Sequence, residues 1–146
     1  MNLAKVYLAQ SDTTAGFLSQ NRDRLLHVKR RDSKKPFIIS VSSFKNLKEF
    51  VRVPKNHRKF IRRVKKTTIV YPNSLAIRVV QDKEHLRFLQ KFSWLYTTSS
   101  NISGESFDKR RALELADIIV YDKRGFFEDT PSKIYKCGKI SKRRLR

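Results

Sequence analysis

Three short stretches gather side chains that bind anions or orient polar substrates. "AQSDTTAGF" (9–17) offers Asp12 and Thr13, and "KRRDSKKPF" (29–37) offers Lys29 and Arg31 two residues apart. "YTTSSNISGESF" (96–107) is a run of hydroxyls with one amide and one glycine, holding Thr98, Ser99, Asn101 and Ser103. A guanidinium such as that of Arg31 presents a planar fork matched to a carboxylate or phosphate, whereas Lys29 brings a compact point charge. The hydroxyl and amide groups supply neutral donors that fix a polar ligand without adding charge. Thr68 in "KKTTIVY" and Arg78 in "LAIRV" add a hydroxyl and a cation in mid-chain. Each residue also has a plain structural reading. The hydroxyl run reads as a strand end and loop, Asp12 can cap a turn, Thr13 and Thr68 can be ordinary strand residues, and Arg78 can serve a salt bridge.

Other chemistries find less support. His27, His57 and His85 lie far apart and the chain has a single cysteine, Cys137, so no structural zinc site is expected and no disulfide can close within the chain. Nothing near Cys137 marks it as an activated nucleophile, and a passive thiol is expected. Neither a phosphate-binding G-x-x-x-x-G-K-S/T loop nor a dinucleotide-binding G-x-G-x-x-G is present. No apolar run approaches the length of a membrane span and the first residues lack a signal-peptide core, so a cytoplasmic protein that does not engage the membrane is expected.

The elements that must position these groups follow from local pattern. With 146 residues, 39% of them hydrophobic and including ten Phe and five Tyr, the chain is long enough for one folded core. "KVYLA" (5–9) has strand composition, and residues 15–29 carry apolar positions at irregular helical spacing. "PFIISV" (36–41) reads as a buried strand. Ser42 or Ser43 can cap a helix through Phe50, Pro54 suits the first turn of a second helix over 55–65, and Asp82 can cap a third through Phe92. "TTIVY", "LAIRVV", "WLYTT", "DIIVYD" and "KIYKC" read as strands, and 108–116 as a helix. The result is an α/β domain over residues 1–137 followed by a basic C-terminal tail, 138–146.

The formal net charge of +21 predicts a polyanionic partner. No acid lies between Glu49 and Asp82, a span that includes Arg58, Lys59, Arg62, Arg63, Lys65 and Lys66. None follows Asp129. A solvated basic face accounts for either run alone, and two runs in one small domain favour RNA or DNA affinity, because each neutralised phosphate releases counterions.

The order of the polar clusters resembles the YrdC family of threonylcarbamoyl-AMP synthases. Its P-T-D/E-T-x-Y-G-L motif is matched by Ser11, Asp12, Thr13, Gly16 and Phe17, with Gln10 replacing the proline and Ala15 the tyrosine. Its K-x-R-P-x-x-x-P-L motif is matched by Lys29, Arg31 and Pro36, with Asp32 at the first proline. P-G-P-x-T survives as Thr68 alone, L-A-V/I-R-V/I is kept through Arg78, and S-T-S-A-N-x-S-G is matched by Thr97, Thr98, Ser99, Asn101, Ser103 and Gly104. "PSKIYK" stands at the closing P-S-T motif. The resemblance implies a twisted sheet of mixed parallel and antiparallel strands, with flanking helices and a basic concave cavity. It implies an enzyme that joins L-threonine, bicarbonate and ATP into threonylcarbamoyl-adenylate and pyrophosphate, with Mg²⁺ held largely by the substrate. Lys29 and Arg31 are then the catalytic cations, and Asp12, Thr13, Thr68, Arg78, Thr98, Ser99, Asn101 and Ser103 bind ATP and threonine. The product passes to partner proteins that modify tRNA. The alternative is a non-catalytic protein of the same fold that binds double-stranded RNA or tRNA through Arg58, Lys59, Arg62, Arg63, Lys65 and Lys66.

Overall fold

Ser11 closes the first hairpin. Its Oγ accepts from the backbone N–H groups of Thr13 and Thr14, both at 3.1 Å, and donates to the Thr14 carbonyl at 2.7 Å. This turn joins β1 (Tyr7–Gln10) to β2 (Ala15–Ser19), and Asn21 then caps α1 (Arg22–Lys29) by accepting from the Arg24 N–H at 3.1 Å. The expected helix over 15–29 is therefore half strand. Residues 15–19 pair along β1 and along a strand some eighty residues distant, and that pairing overrides local spacing. The computed structural model describes residues 2–30, 32, 34–101 and 104–146.

β3 (Ile38–Val41) follows, and Ser43 caps α2 (Phe44–Phe50). The helix expected over 55–65 is divided into a 3₁₀ turn at Lys55–His57 and α3 (Arg58–Arg63), which meet at His57 with φ −108° and ψ −2°. β4 (Thr67–Val70) and β5 (Ala76–Val79) form a hairpin, Asp82 caps α4 (Lys83–Leu89), β6 (Trp94–Ser99) follows, and Asp108 caps α5 (Lys109–Leu115). A two-residue β7 (Ile118–Ile119), β8 (Lys133–Cys137) and β9 (Lys142–Arg144) end the order. Residues 138–146, expected as a basic tail, instead carry β9, which pairs antiparallel with β8.

Among the described residues these strands form one open, mixed sheet in the order β7-β1-β2-β6-β3-β5-β4-β8-β9. One face is covered at one end by α1 and α5, over Val6, Leu8, Phe17, Leu25 and Ala112, and at the other by α2 and α3, over Ile39, Val41, Leu47, Ile61 and Ile77. On the opposite face α4 packs Phe88 and Leu89 against Tyr7, Leu18 and Leu95. That single short helix does not span the sheet. The rest of the face is open, and this is where the polar motifs meet.

Candidate functional site

Residues directly opposite each other on paired strands point to the same side of a sheet. The register sets Leu18 against Thr97, Thr97 against Ile38, Gly16 against Ser99, and Ser40 against both Arg78 and Leu95. Leu18 and Leu95 lie under α4, so Gly16, Ile38, Arg78, Thr97 and Ser99 continue the same face beyond it. They line a cavity of about 320 Å³, walled on one side by Ser11 and Thr14 and on the other by Ser132 and Arg146. Gly16 keeps its floor low: a Cβ there would come within 3.0 Å of the Thr98 carbonyl oxygen.

Arg78 lies beneath this cavity, with its side chain 6% exposed. Its Nη1 donates to Thr13 Oγ1 at 3.3 Å and stands 3.6 Å from Asp12 Oδ1, and Asp12 is as deeply buried. Among the described residues Arg78 Nε and Asp12 Oδ1 have no hydrogen-bond partner. A buried guanidinium with one side unsatisfied is a receptor for an anionic oxygen. Across the cavity Thr68 and Ser132 share a hydroxyl hydrogen bond of 2.9 Å, and Arg146 donates to the Ser132 carbonyl at 3.0 Å and to its hydroxyl at 3.3 Å. Burial, and then the charge of Arg78, pull the Arg146 pKa below the usual arginine range. Two guanidiniums that disfavour each other's charge are relieved by an anion between them.

Lys29 works differently from the expectation of a cation facing substrate. Buried at the end of α1, it donates through Nζ to the Ser99 carbonyl at 2.8 Å and hydroxyl at 3.0 Å, and to the Asn101 carbonyl and side-chain oxygen. Asn101 Nδ2 in turn donates to the Glu105 carbonyl at 2.7 Å. The ammonium therefore clasps the hydroxyl and amide loop against the sheet. Thr98 is buried at the cavity edge. Arg31 and Ser103 lie outside the described residues.

Gln10, at the position of the missing proline, accepts the Phe127 N–H at its Oε1, 3.0 Å away, and Arg124 donates to the carbonyls of Gln10 and Ser11 at 3.1 and 3.4 Å. Asp82 and Asp122 hold Arg124 at 2.9 and 2.7 Å. The hydrogen bond from Arg124 keeps the Asp122 carboxyl below its ordinary range. The turn that carries Asp12 and Thr13 is thus pinned from behind.

Sequence reading did not single out Arg124, Ser132 or Arg146 as site residues. Ser132 had a signal in "PSKIYK". Arg146 had none, since its place depends on the pairing of β9. Arg58, Lys59, Arg62, Arg63, Lys65 and Lys66 are all exposed and stand apart from this cavity. Burial pushes the Cys137 thiol pKa up, as suits a passive thiol. Among the described residues no group of three or more His, Cys, Asp or Glu is placed to hold a metal ion, and no helix is long and apolar enough to cross a membrane.

The profile of the Sua5/YciO/YrdC family, described as "Telomere recombination", matches residues 16–139, and the chain belongs to this family. The fold agrees. Pyrococcus abyssi Sua5, solved in complex with L-threonine, superposes with a TM-score of 0.85 at 18% identity, covering 98% of this chain and 50% of that one. Escherichia coli YciO gives 0.76 at 13% identity, covering 98% and 82%, and MTH1692 of Methanobacterium thermoautotrophicum gives 0.71 at 24%, covering 98% and 80%. The chain spans about half the length of the Sua5 structures it resembles. Among curated proteins none matches the sequence.

Proposed function

We propose that the chain is a threonylcarbamoyl-adenylate synthase domain acting on L-threonine, bicarbonate and ATP in tRNA modification. The observation that carries this reading is one cavity on the open sheet face lined by Arg78, Ser99, Ser132 and Arg146, with Asp12 and Thr13 held against Arg78 and Thr68 against Ser132 behind that lining. All but Arg146 come from motifs dispersed along the chain, and an anionic ligand would satisfy the edge of Arg78 whose Nε finds no acceptor among the described residues. In the proposed reaction the threonine amine and bicarbonate form a carbamate with loss of water. A carbamate oxygen then attacks the α-phosphorus of ATP, and pyrophosphate leaves with the bond electrons.

The protein need supply no covalent nucleophile. Arg78 and Arg146 offset the negative charge that grows on phosphate oxygens in flight, and the loop clasped by Lys29 presents neutral donors that hold the nucleotide in register. Arg31 and Ser103 join this set as the family motifs imply. Mg²⁺ bound with the nucleotide would be held by phosphate oxygens and water, and Asp12, 3.6 Å from Arg78, is a carboxylate close to the cavity.

Incubation with ATP, threonine and bicarbonate should release pyrophosphate, and threonine with ATP should raise the melting temperature more than serine with ATP. No pyrophosphate and no shift at millimolar ligand would overturn the synthase reading. The second reading, RNA binding without catalysis, draws on the acid-free basic surface around Arg58, Lys59, Arg62, Arg63, Lys65 and Lys66. It predicts a steep salt dependence for duplex RNA in a protein that makes no pyrophosphate.

A further inference from the structure

A second and larger concavity lies elsewhere. It occupies about 600 Å³ between α2, α3 and the linker 51–53, on the helix-covered side of the sheet, and contains none of the motif residues. Its floor is apolar: Leu47, Val51 and Ile61 are buried, and Phe44, Phe50 and Val53 are half-buried. Its rim is cationic, with Lys48, Arg52, Arg58 and Arg62 all exposed against the single carboxylate of Glu49.

α3 distributes its charge between two sides. Residues four apart share a helix face, whereas neighbours are turned by about 100°. Arg58 and Arg62 therefore look into the groove, while Lys59 and Arg63 take another side of the same helix and do not line it. A purely electrostatic surface has no use for an apolar floor. Stacking of bases is poorly served as well, because the Phe50 ring is packed edge-on against Trp94 with centroids 5.4 Å apart, and most of the remaining floor is aliphatic.

We propose that this groove docks an acidic peptide segment of a partner protein, with large apolar side chains seated on the floor and carboxylates on the rim. Both halves of the groove are then used: apolar anchors give affinity, and the opposite charges select the partner and set its orientation. The volume is within the range of about 300–1,000 Å³ typical of concave ligand sites, which leaves room for large apolar anchors.

The test uses a fluorescein-labelled peptide designed as an acidic amphipathic helix with Leu at i, i+4 and i+7 and Glu on its other faces, measured by anisotropy. A second peptide replaces each Leu by Ser at equal charge, and duplex RNA serves as competitor. The Leu peptide should bind at least ~10-fold more tightly than the Ser peptide, a difference of about 1.4 kcal/mol. The paired reversal Arg58→Glu/Arg62→Glu should weaken it at least ~10-fold, and Lys59→Glu/Arg63→Glu, which changes net charge equally, less than ~2-fold. Val53→Ser, which alters the floor without touching charge, should weaken the Leu peptide and leave the Ser peptide unchanged. Should a paired reversal lower the melting temperature, Arg58→Gln/Arg62→Gln and Val53→Ser carry the comparison. Equal loss from both reversals, or equal binding of the two peptides, would show charge attraction alone and overturn the proposal. So would duplex RNA that binds and depends on Arg58 and Arg62 where the Leu peptide does not bind.

Discussion

The two concave regions of this protein hold their cations in opposite ways. In the cavity on the open sheet face Arg78 is buried at 6% side-chain exposure beside Asp12, while Arg146 is exposed and is held at the wall by its hydrogen bonds to Ser132. In the α2/α3 groove the four cations stand on an exposed rim above apolar side chains. Burying a charge costs desolvation that one partner at 3.6 Å does not offset, so the cavity is built for a discrete anion that completes the coordination. A rim charge loses little hydration and steers a partner without fixing it. Density of basic residues along the chain does not separate the two cases. Depth does.

Substitutions test that contrast, and the greatest effect is expected in the cavity. Arg78→Ala should cut pyrophosphate release by at least ~10²-fold and cost roughly 3 kcal/mol in urea unfolding, since Asp12 is left buried without its cation. Adding Asp12→Asn should recover part of the stability and none of the activity. Wild-type activity and stability in Arg78→Ala would remove the cavity's claim to be an anion site. Next in size is Lys29→Met, which keeps the aliphatic stem and strands the oxygens of Ser99 and Asn101. A loss of about 1–3 kcal/mol by melting, with weaker nucleotide binding, is expected. Lys29→Arg should not rescue it, because a planar fork does not satisfy oxygens arranged about a compact ammonium.

Acid probes the same side of the sheet. His85 on α4 is 1% exposed, and neither ring nitrogen has a hydrogen-bond partner among the described residues. Burial, and then the charge of Arg78, lower its pKa to about 3 from 6.5, while Asp82 and Asp122 pull the other way and Arg124 adds to the lowering. Between those values the unfolded chain binds a proton that the folded chain refuses. Stability is therefore full above about pH 6.5 and falls as pH drops toward 3, by at most about 1.4 kcal/mol per pH unit from this group. His85→Leu should flatten that part of a pH series of denaturation midpoints; an unchanged slope would assign the acid sensitivity to other groups. The smallest effect belongs to the rim. Arg62→Ala should shift the unfolding free energy by no more than about 0.5 kcal/mol. If it costs as much as Arg78→Ala, the distinction between buried and exposed cations collapses.

The sequence made the local features legible and left the long-range ones obscure. Ser43, one of two candidates with Ser42, and Asp82 were readable as helix caps because a cap acts on an N–H three residues away. The two halves of residues 15–29 were not separable by spacing, since Phe17 and Leu18 are both buried in a central strand and the partners that make it a strand, Thr98 and Thr97, are supplied by β6. β9 reads as a solvated basic run, and Lys142, Arg143 and Arg144 become a strand only through β8. Site residues tied to family motifs, such as Arg78 and Thr68, could be singled out. Arg124 could not, because its function lies in the distant carbonyls of Gln10 and Ser11. Lys29 was legible as a residue but not in its partners.

The hairpin of β8 and β9 has a further consequence for how the protein reaches its native state. Thr13 meets Arg78 across 65 residues, Thr68 meets Ser132 across 64, and Lys29 meets Asn101 across 72. Contacts of such high sequence separation close large loops before they return any binding energy, which slows folding and joins it to the transition of the whole domain. Arg146 follows the last strand in chain order by two residues and enters a wall that exists only once β4 and β8 lie side by side. Half of this domain therefore has no half of this pocket. In a refolding experiment ligand competence should appear with the slowest global phase and with no earlier one, and a fragment lacking β8 and β9 should hold helices without holding an anion.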